Sequence, residues 1–254
     1  MTATAPERVR SVASAGDALF RPVRAGNAFE ETVERLLTAI KLGVVAPGGQ
    51  LPPERELSER LSVSRVTLRE AIRDLQQNGY LESRRGRYGG TFVQATLPRL
   101  RQPAAPRRLA KEAVSDLEDT LLLREVLEVG AADRAAARPP AEAEADHLTA
   151  CRDDCGRAGG LAEYRRLDSR FHLAVAEVTG SPSLTTAIAG VRMRANAFLD
   201  AILVLPRHVD HSELQHDEIL GAILAGDRGG ARAAMAEHVS ATAALLRGFL
   251  GHGR

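Results

Sequence analysis

Asp168 and His172 stand four residues apart, so on a helix both project from one face. His216 and His238 lie eleven residues on either side of Asp227, which sits in a glycine-bounded turn from Gly226 to Gly230. In an antiparallel helical hairpin rising about 1.5 Å per residue, those two imidazoles reach the same height. One carboxylate and three imidazoles drawn from three helices make the donor inventory of a divalent metal site. Imidazole suits zinc, nickel, copper or iron. Taken singly, each of these histidines is more often a hydrogen-bonded core or surface residue than a ligand.

A second set of residues suits a polyanion. Arg65, Arg69 and Arg73 recur every four residues and form a basic stripe on one helix, with Thr67 near its N-terminal end. Guanidinium groups pair bidentately with guanine edges or phosphates, and the N-terminal turn of such a helix is the part that reaches bases in a major groove. A lone arginine stripe is more often a solvated face. Its neighbours decide the matter: Arg84, Arg85 and Arg87 surround Gly86 a few residues later, where glycine lets backbone and phosphate approach closely.

The elements that would position these groups follow from periodicity. Residues 1–26 are rich in Ala, Ser, Gly, Pro and Arg without a sustained period, and the expectation is a mobile arm. Phe29, Val33, Leu36, Leu37 and Ile40 define one helical face, closed by Gly43. A second helix is expected over Glu54–Leu61 with proline at its entry, and a third begins after the N-cap candidate Ser64, its stripe being Leu68, Ala71, Ile72 and Leu75. Segments 80–84 and 91–94 flank a glycine-rich tip and predict a β-hairpin wing. The sum is a winged helix-turn-helix over 27–97.

Pro98, Pro103 and Pro106 mark a linker over 98–115. Beyond it, residues 116–250 predict an antiparallel all-α bundle of six or seven helices, with segments 116–137, 141–157, 161–179, 183–205, 211–225 and 231–250. The fold class is therefore mostly α.

Composition sets the outer limits. With 44% hydrophobic residues the 254-residue chain can bury a core, while 4% aromatic residues and no Trp disfavour a β-sandwich or barrel. No apolar run suggests a membrane span or signal segment, so the expected location is the cytoplasm, with no membrane partner. Cys151 and Cys155 are most simply small buried side chains. Residues 1–100 carry 15 Lys and Arg against 11 Asp and Glu, and residues 101–254 carry 19 against 22. A basic front half and an acidic back half fit a polyanion contact for the first and a small ligand for the second.

The run from Ile40 to Val93 resembles the GntR family of bacterial transcription regulators. It carries Leu51-Pro52-Pro53-Glu54-Arg55-Glu56-Leu57, then Val63 to Ala71, then Arg85-Gly86-Arg87 and Gly90-Thr91-Phe92-Val93. Val66-Thr67 departs from the family at a position where proline is frequent, and Tyr88 interrupts its usual wing glycines. The resemblance implies that Arg55, Arg65, Thr67, Arg69 and Gly86 contact operator DNA, with Ser64, Arg85 and Arg87 following. Asp168 to His172, His216 to Ile219 and the stretch from Gly226 to His238 look like the FCD sensor domain of the FadR subfamily. This implies a divalent ion on Asp168, His172, His216 and His238, zinc first and nickel or another transition metal next. The acyl-CoA-binding member that names the subfamily lacks this metal pattern, so the chain looks closer to the carboxylate-sensing branch.

Arg124 and Glu128 also match the subfamily at the start of the bundle, which makes Arg124 an effector-pocket candidate; the bland reading is an i, i+4 ion pair. Arg194 and Asn196 are expected to face the same cavity. His147, His208, His211 and His252 match no pattern and are expected to be solvated. The implied function is a homodimeric regulator, expected to repress, that binds double-stranded operator DNA and answers a small organic acid. A helical-bundle metalloenzyme acting on a small carboxylate is the alternative, since the same ligands would leave positions open for water and substrate.

Overall fold

The computed structural model describes residues 14–20, 28–86, 89–98, 111–200, 202 and 206–251. Arg87, most of the arm and linker, and His252 therefore lie outside the described residues. Among the described residues the chain is helical apart from one hairpin.

The short helix α1, Ala15–Leu19, comes first, and then α2, Ala28–Lys41, which buries Leu36, Ala39 and Ile40 as its periodicity requires. Gly43 ends it at φ +71°, a backbone conformation that favours glycine. Pro53 leads into α3, Glu54–Leu61. Ser64 then caps α4, Arg65–Gln77, its hydroxyl accepting from the Thr67 amide at 3.0 Å. Leu68, Ala71, Ile72 and Leu75 are buried on the inner face of α4, which leaves the arginines outside.

Strands β1, Leu81–Arg84, and β2, Gly90–Val93, pair antiparallel with Leu81 opposite Val93 and Arg84 opposite Gly90. The loop before α3 joins this wing through a bridge from Gln50 to Phe92, and the Leu51 amide donates to the Thr91 carbonyl at 2.9 Å. That loop thereby ties the wing to the helices it must work beside.

Among the described residues six helices follow: α5 Lys111–Ala135, α6 Glu142–Gly156, α7 Leu161–Val178, α8 Pro182–Leu199, α9 Pro206–Leu224 and α10 Arg228–Gly251. Helix α5 packs on α8 and α10, α9 on α10, and α6 on α7. The site helices α7, α9 and α10 bury Phe171, Leu173, Ile219, Ile223, Met235 and Val239 in one core. Among the described residues, no helix is long and apolar enough to cross a membrane.

Three expectations change. The arm expected to be mobile contains α1, whose Ala15, Ala18 and Leu19 are buried together with Phe20, because four small or apolar residues suffice to dock one helical turn. The expected linker is shorter, since α5 already begins at Lys111. Helix α8 stops at Leu199, and Pro206 opens α9 rather than following a break, the first turn being where a missing amide costs nothing.

Candidate functional site

Asp168 and His172 come from α7, His216 from α9 and His238 from α10, and all four are at least nine-tenths buried. One donor atom from each lies within 4.8 Å of the others. His172 Nε2 is 3.1 Å from His238 Nε2 and 3.7 Å from Asp168 Oδ1, which is itself 3.2 Å from His216 Nε2. The eleven-residue symmetry about Asp227 does bring His216 and His238 level, their ring centroids 4.8 Å apart.

Behind each imidazole stands an oxygen. Glu128 Oε2 is 2.9 Å from His172 Nδ1, Glu213 Oε1 is 3.5 Å from His216 Nδ1, and Gln215 Oε1 is 3.2 Å from His238 Nδ1. Such acceptors favour the tautomer with the proton on Nδ1 and turn Nε2 inward. Of these Nδ1 contacts only that of His238 with Gln215 is a hydrogen bond; His172 Nδ1 and both ring nitrogens of His216 are buried without one, although Glu128, Glu213 and Asp168 are near. An orphaned imidazole nitrogen among three other convergent donors is what a site built for a cation leaves behind.

Charge keeps three of the four donors, Asp168, His172 and His238, in their ligating forms, and pushes the fourth, His216, the other way. Burial raises the Asp168 carboxyl, but Arg192 and the neighbouring imidazoles outweigh it and hold the group well below the usual range. His172 is pulled down to about 4 by burial and by Arg192, so it is neutral near pH 7. His238 is also pulled well down, by burial and by His216, His172 and Arg124. For His216, burial is overcome by the carboxylates of Asp168 and Glu213, and its affinity for protons rises.

Arg192 on α8, like Glu213 and Gln215 on α9, is a site residue that the sequence pattern does not single out. It is 2% exposed, donates from Nη2 to Asp168, and places Nη1 3.3 Å from Glu128 Oε1. Arg124 on α5 donates from Nε to Glu128 Oε2 at 3.2 Å and reaches within 3.5 Å of His238 Nε2. A cavity of about 70 Å³ beside the four donors is lined by Arg124, Asp168, Arg192, Asn196, His208 and His238, among others.

Asn196 is thus at the cavity, its amide donating to Ser169 Oγ at 3.0 Å, and Arg194 is not. Arg194 is 40% exposed and faces Asp119 at 3.4 Å on the surface. The reason is helical phase: two residues turn a helix by about 200°, so Arg194 points away from the side shared by Arg192 and Asn196. Of the histidines expected to be solvated, His208 lines the cavity instead, while His147 is exposed as expected, with Nε2 3.0 Å from Glu177 Oε2. His211 is exposed.

At the other end of the molecule Arg65, Arg69 and Arg73 are exposed along α4, and Val66 is 67% exposed at its first turn. Arg69 Nε pairs with Glu54 Oε2 at 2.8 Å, and Arg55 with Glu59 at 3.7 Å. Thr67 and Ser64 share a 2.9 Å hydroxyl contact at the cap. In the wing, Arg85 and Gly86 are exposed, with Gly86 at φ +108°. Arg84 lies over the Phe92 ring at 4.3 Å and pairs with Glu82, so it is less available than its neighbour.

The FCD domain family matches residues 119–241, and the family described as bacterial regulatory proteins, gntR family, matches residues 29–93. A protein of Escherichia coli (strain K12) described as an L-lactate dehydrogenase operon regulatory protein is 31% identical over 232 residues, which cover 87% of this chain and 86% of that one. The HTH-type transcriptional regulator RmpR of Mycobacterium gastri is 38% identical over 165 residues. That match takes in 61% of this chain and 56% of the relative, so it spans little more than half of the relative's length. The solved structure of E. coli McbR/YncC is similar in fold, with a TM-score of 0.52 at 19% identity, covering 87% of this chain and 97% of that one. Matching such regulators through both of its halves, the chain belongs to the GntR family of bacterial transcription regulators, in the branch whose second domain is FCD.

Proposed function

We propose that this DNA-binding regulator holds a divalent metal ion on Asp168, His172, His216 and His238 and uses it to sense a small carboxylate. The observation that carries the reading is the buried convergence of three inward-facing imidazole nitrogens and one carboxylate oxygen, each imidazole backed by an acceptor. Three of the donor separations, at 3.1, 3.2 and 3.7 Å, suit a first-row ion with bonds of about 2.0–2.2 Å, and all four donors lie within 4.8 Å of one another. The imidazole-rich set favours zinc, with nickel or another transition metal next. When bound, the ion supplies a Lewis-acidic seat for an anionic oxygen.

The chain's own residues supply the rest of the pocket. Arg124 presents a planar fork of donors suited to a carboxylate, while Glu128 and Arg192 hold it and Asp168 in place. A cavity of about 70 Å³ has room for a small organic acid, given that a single water needs about 10–15 Å³ on the same scale. Because one relative is described as regulating a lactate dehydrogenase operon, a 2-hydroxy acid such as lactate is the first compound to test.

DNA reading falls to Arg65, Thr67 and Arg69 on α4, with Arg55, Ser64, Arg85, Gly86 and Arg87 contributing contacts. The protein acts as a homodimer on a two-fold operator in the cytoplasm, and ligand binding relieves repression. The metalloenzyme alternative is not favoured, since the relatives are regulators throughout.

Calorimetric titration of lactate and related acids into metal-loaded and chelator-stripped protein tests this reading, together with band-shift assays on the DNA upstream of the gene. Binding only to the loaded form, with a change in operator affinity, is the expected result. Equal binding to both forms would overturn the metal-centred pocket.

A further inference from the structure

Helix α1 touches both halves of the molecule. On the effector side, the Ala15 amide donates to the buried carboxylate of Glu177 on α7, and Thr186 Oγ1 on α8 donates to the Ala18 carbonyl at 3.0 Å. On the reader side, Arg35 Nη1 of α2 donates to the Leu19 carbonyl at 3.2 Å, and Arg60 Nη1 of α3 pairs with Asp17 Oδ1 at 2.9 Å. Between these polar contacts Ala15 and Ala18 are fully buried, and Leu19 and Phe20 nearly so, all but Ala18 within the main core cluster. The Ser14 hydroxyl accepts from the Asp17 amide, closing a capping box that holds the turn helical.

We infer that the segment Ser14–Phe20 is an interdomain latch, which fixes the DNA-reading domain against the effector bundle. Four contacts on four different helices converge on seven residues, and each half of the molecule supplies two of them. A segment serving only one domain would have no use for partners on the other. Glu177 is the latch's seat: its second oxygen lies 3.0 Å from His147 Nε2, so the carboxylate that receives α1 is itself held from α6. Residues 21–27 join α1 to the reader helix α2, so the latch stays tethered to the domain it restrains and reseats as an intramolecular event. Helix α2 also touches α8 directly, and the latch adds to that contact between the two halves. Coupling between an effector and DNA requires two arrangements that the two ligands favour differently, and a latch of this kind sets which arrangement the effector must work against.

The test measures domain placement, not DNA or ligand binding, so its failure is separable from failure of the proposed function. Spin labels are attached at Gln77→Cys on α4 and Ala187→Cys on α8, both exposed positions, the native Cys151 and Cys155 being buried. Double electron–electron resonance then gives the interdomain distance distribution. The expected result is a narrow distribution for the full chain that broadens roughly twofold on deletion of residues 1–20 or with Ala18→Glu, which forces a charge into the buried seat. Arg60→Ala removes one exposed contact without disturbing the core, and an intermediate width is expected there. Unchanged helical circular dichroism establishes that each variant is folded. The same distribution in the full chain and in both Ala18→Glu and the deletion would overturn the latch.

Discussion

Arg192→Met tests the electrostatic design of the bundle interior. The substitution keeps an unbranched apolar stem of similar length and removes only the guanidinium, which is paired with Asp168 and lies 3.3 Å from Glu128. Both carboxylates are buried, and burial opposes their charge while Arg192 sustains it. Breaking a buried pair by deleting one partner costs about 3–5 kcal/mol. Glu128 retains Arg124 and His172, and Asp168 retains the imidazoles of His216 and His172 beside it, so the lower end of that range is expected. At about 2–4 °C per kcal/mol for a chain of this size, the metal-free variant should melt roughly 6–12 °C below the wild-type chain. A divalent ion gives Asp168 a new cationic partner, so the deficit should shrink by about half or more in zinc-loaded protein. Thermal unfolding followed by circular dichroism, with chelator and with zinc, measures both numbers. A metal-free deficit under about 2 °C, or the same deficit in both conditions, would refute the argument that Arg192 offsets the charge of the donor cluster.

Arg65→Ala and Arg69→Ala should each weaken operator binding by about 1–3 kcal/mol in a fluorescence anisotropy titration if the side chains reach guanine edges. Unchanged affinity in both variants would remove α4 as the reader. Arg194→Ala should leave carboxylate affinity untouched, while Asn196→Ala lowers it; calorimetry giving the reverse order would contradict the helical phase described here. His147 is raised to about 10 by its hydrogen bonds with Cys151 and Glu177. A base whose folded pKa lies above its unfolded value of about 6.5 stabilises fully below that value. The contribution disappears as pH rises through about 10. His147→Gln should therefore cost stability in mildly acidic and neutral buffer and nothing in strongly alkaline buffer; a pH-independent difference in melting temperature would show that the histidine acts by packing alone.

Much of this was written in local pattern. The spacing of Leu68, Ala71, Ile72 and Leu75 specifies the inner face of α4 and so forces Arg65, Arg69 and Arg73 outward, because a helix has only one buried stripe to give. The symmetric placement of His216 and His238 about Asp227 sufficed to bring two imidazoles level, since adjacent antiparallel helices share one rise per residue. Those inferences need only periodicity and a turn. Arg192 was not legible, because nothing local distinguishes a buried arginine from the exposed Arg194 two residues on; only the packing of α8 against α5 and α7 decides which of them meets Asp168 and Glu128. Glu213 and Gln215, which back two imidazoles from α9, depend in the same way on how that helix is rotated. Helix α1 is the extreme case. Five residues carry too little propensity to announce a helix in sequence. The seat formed by Glu177, Thr186, Arg35 and Arg60 exists only after both domains have folded and met.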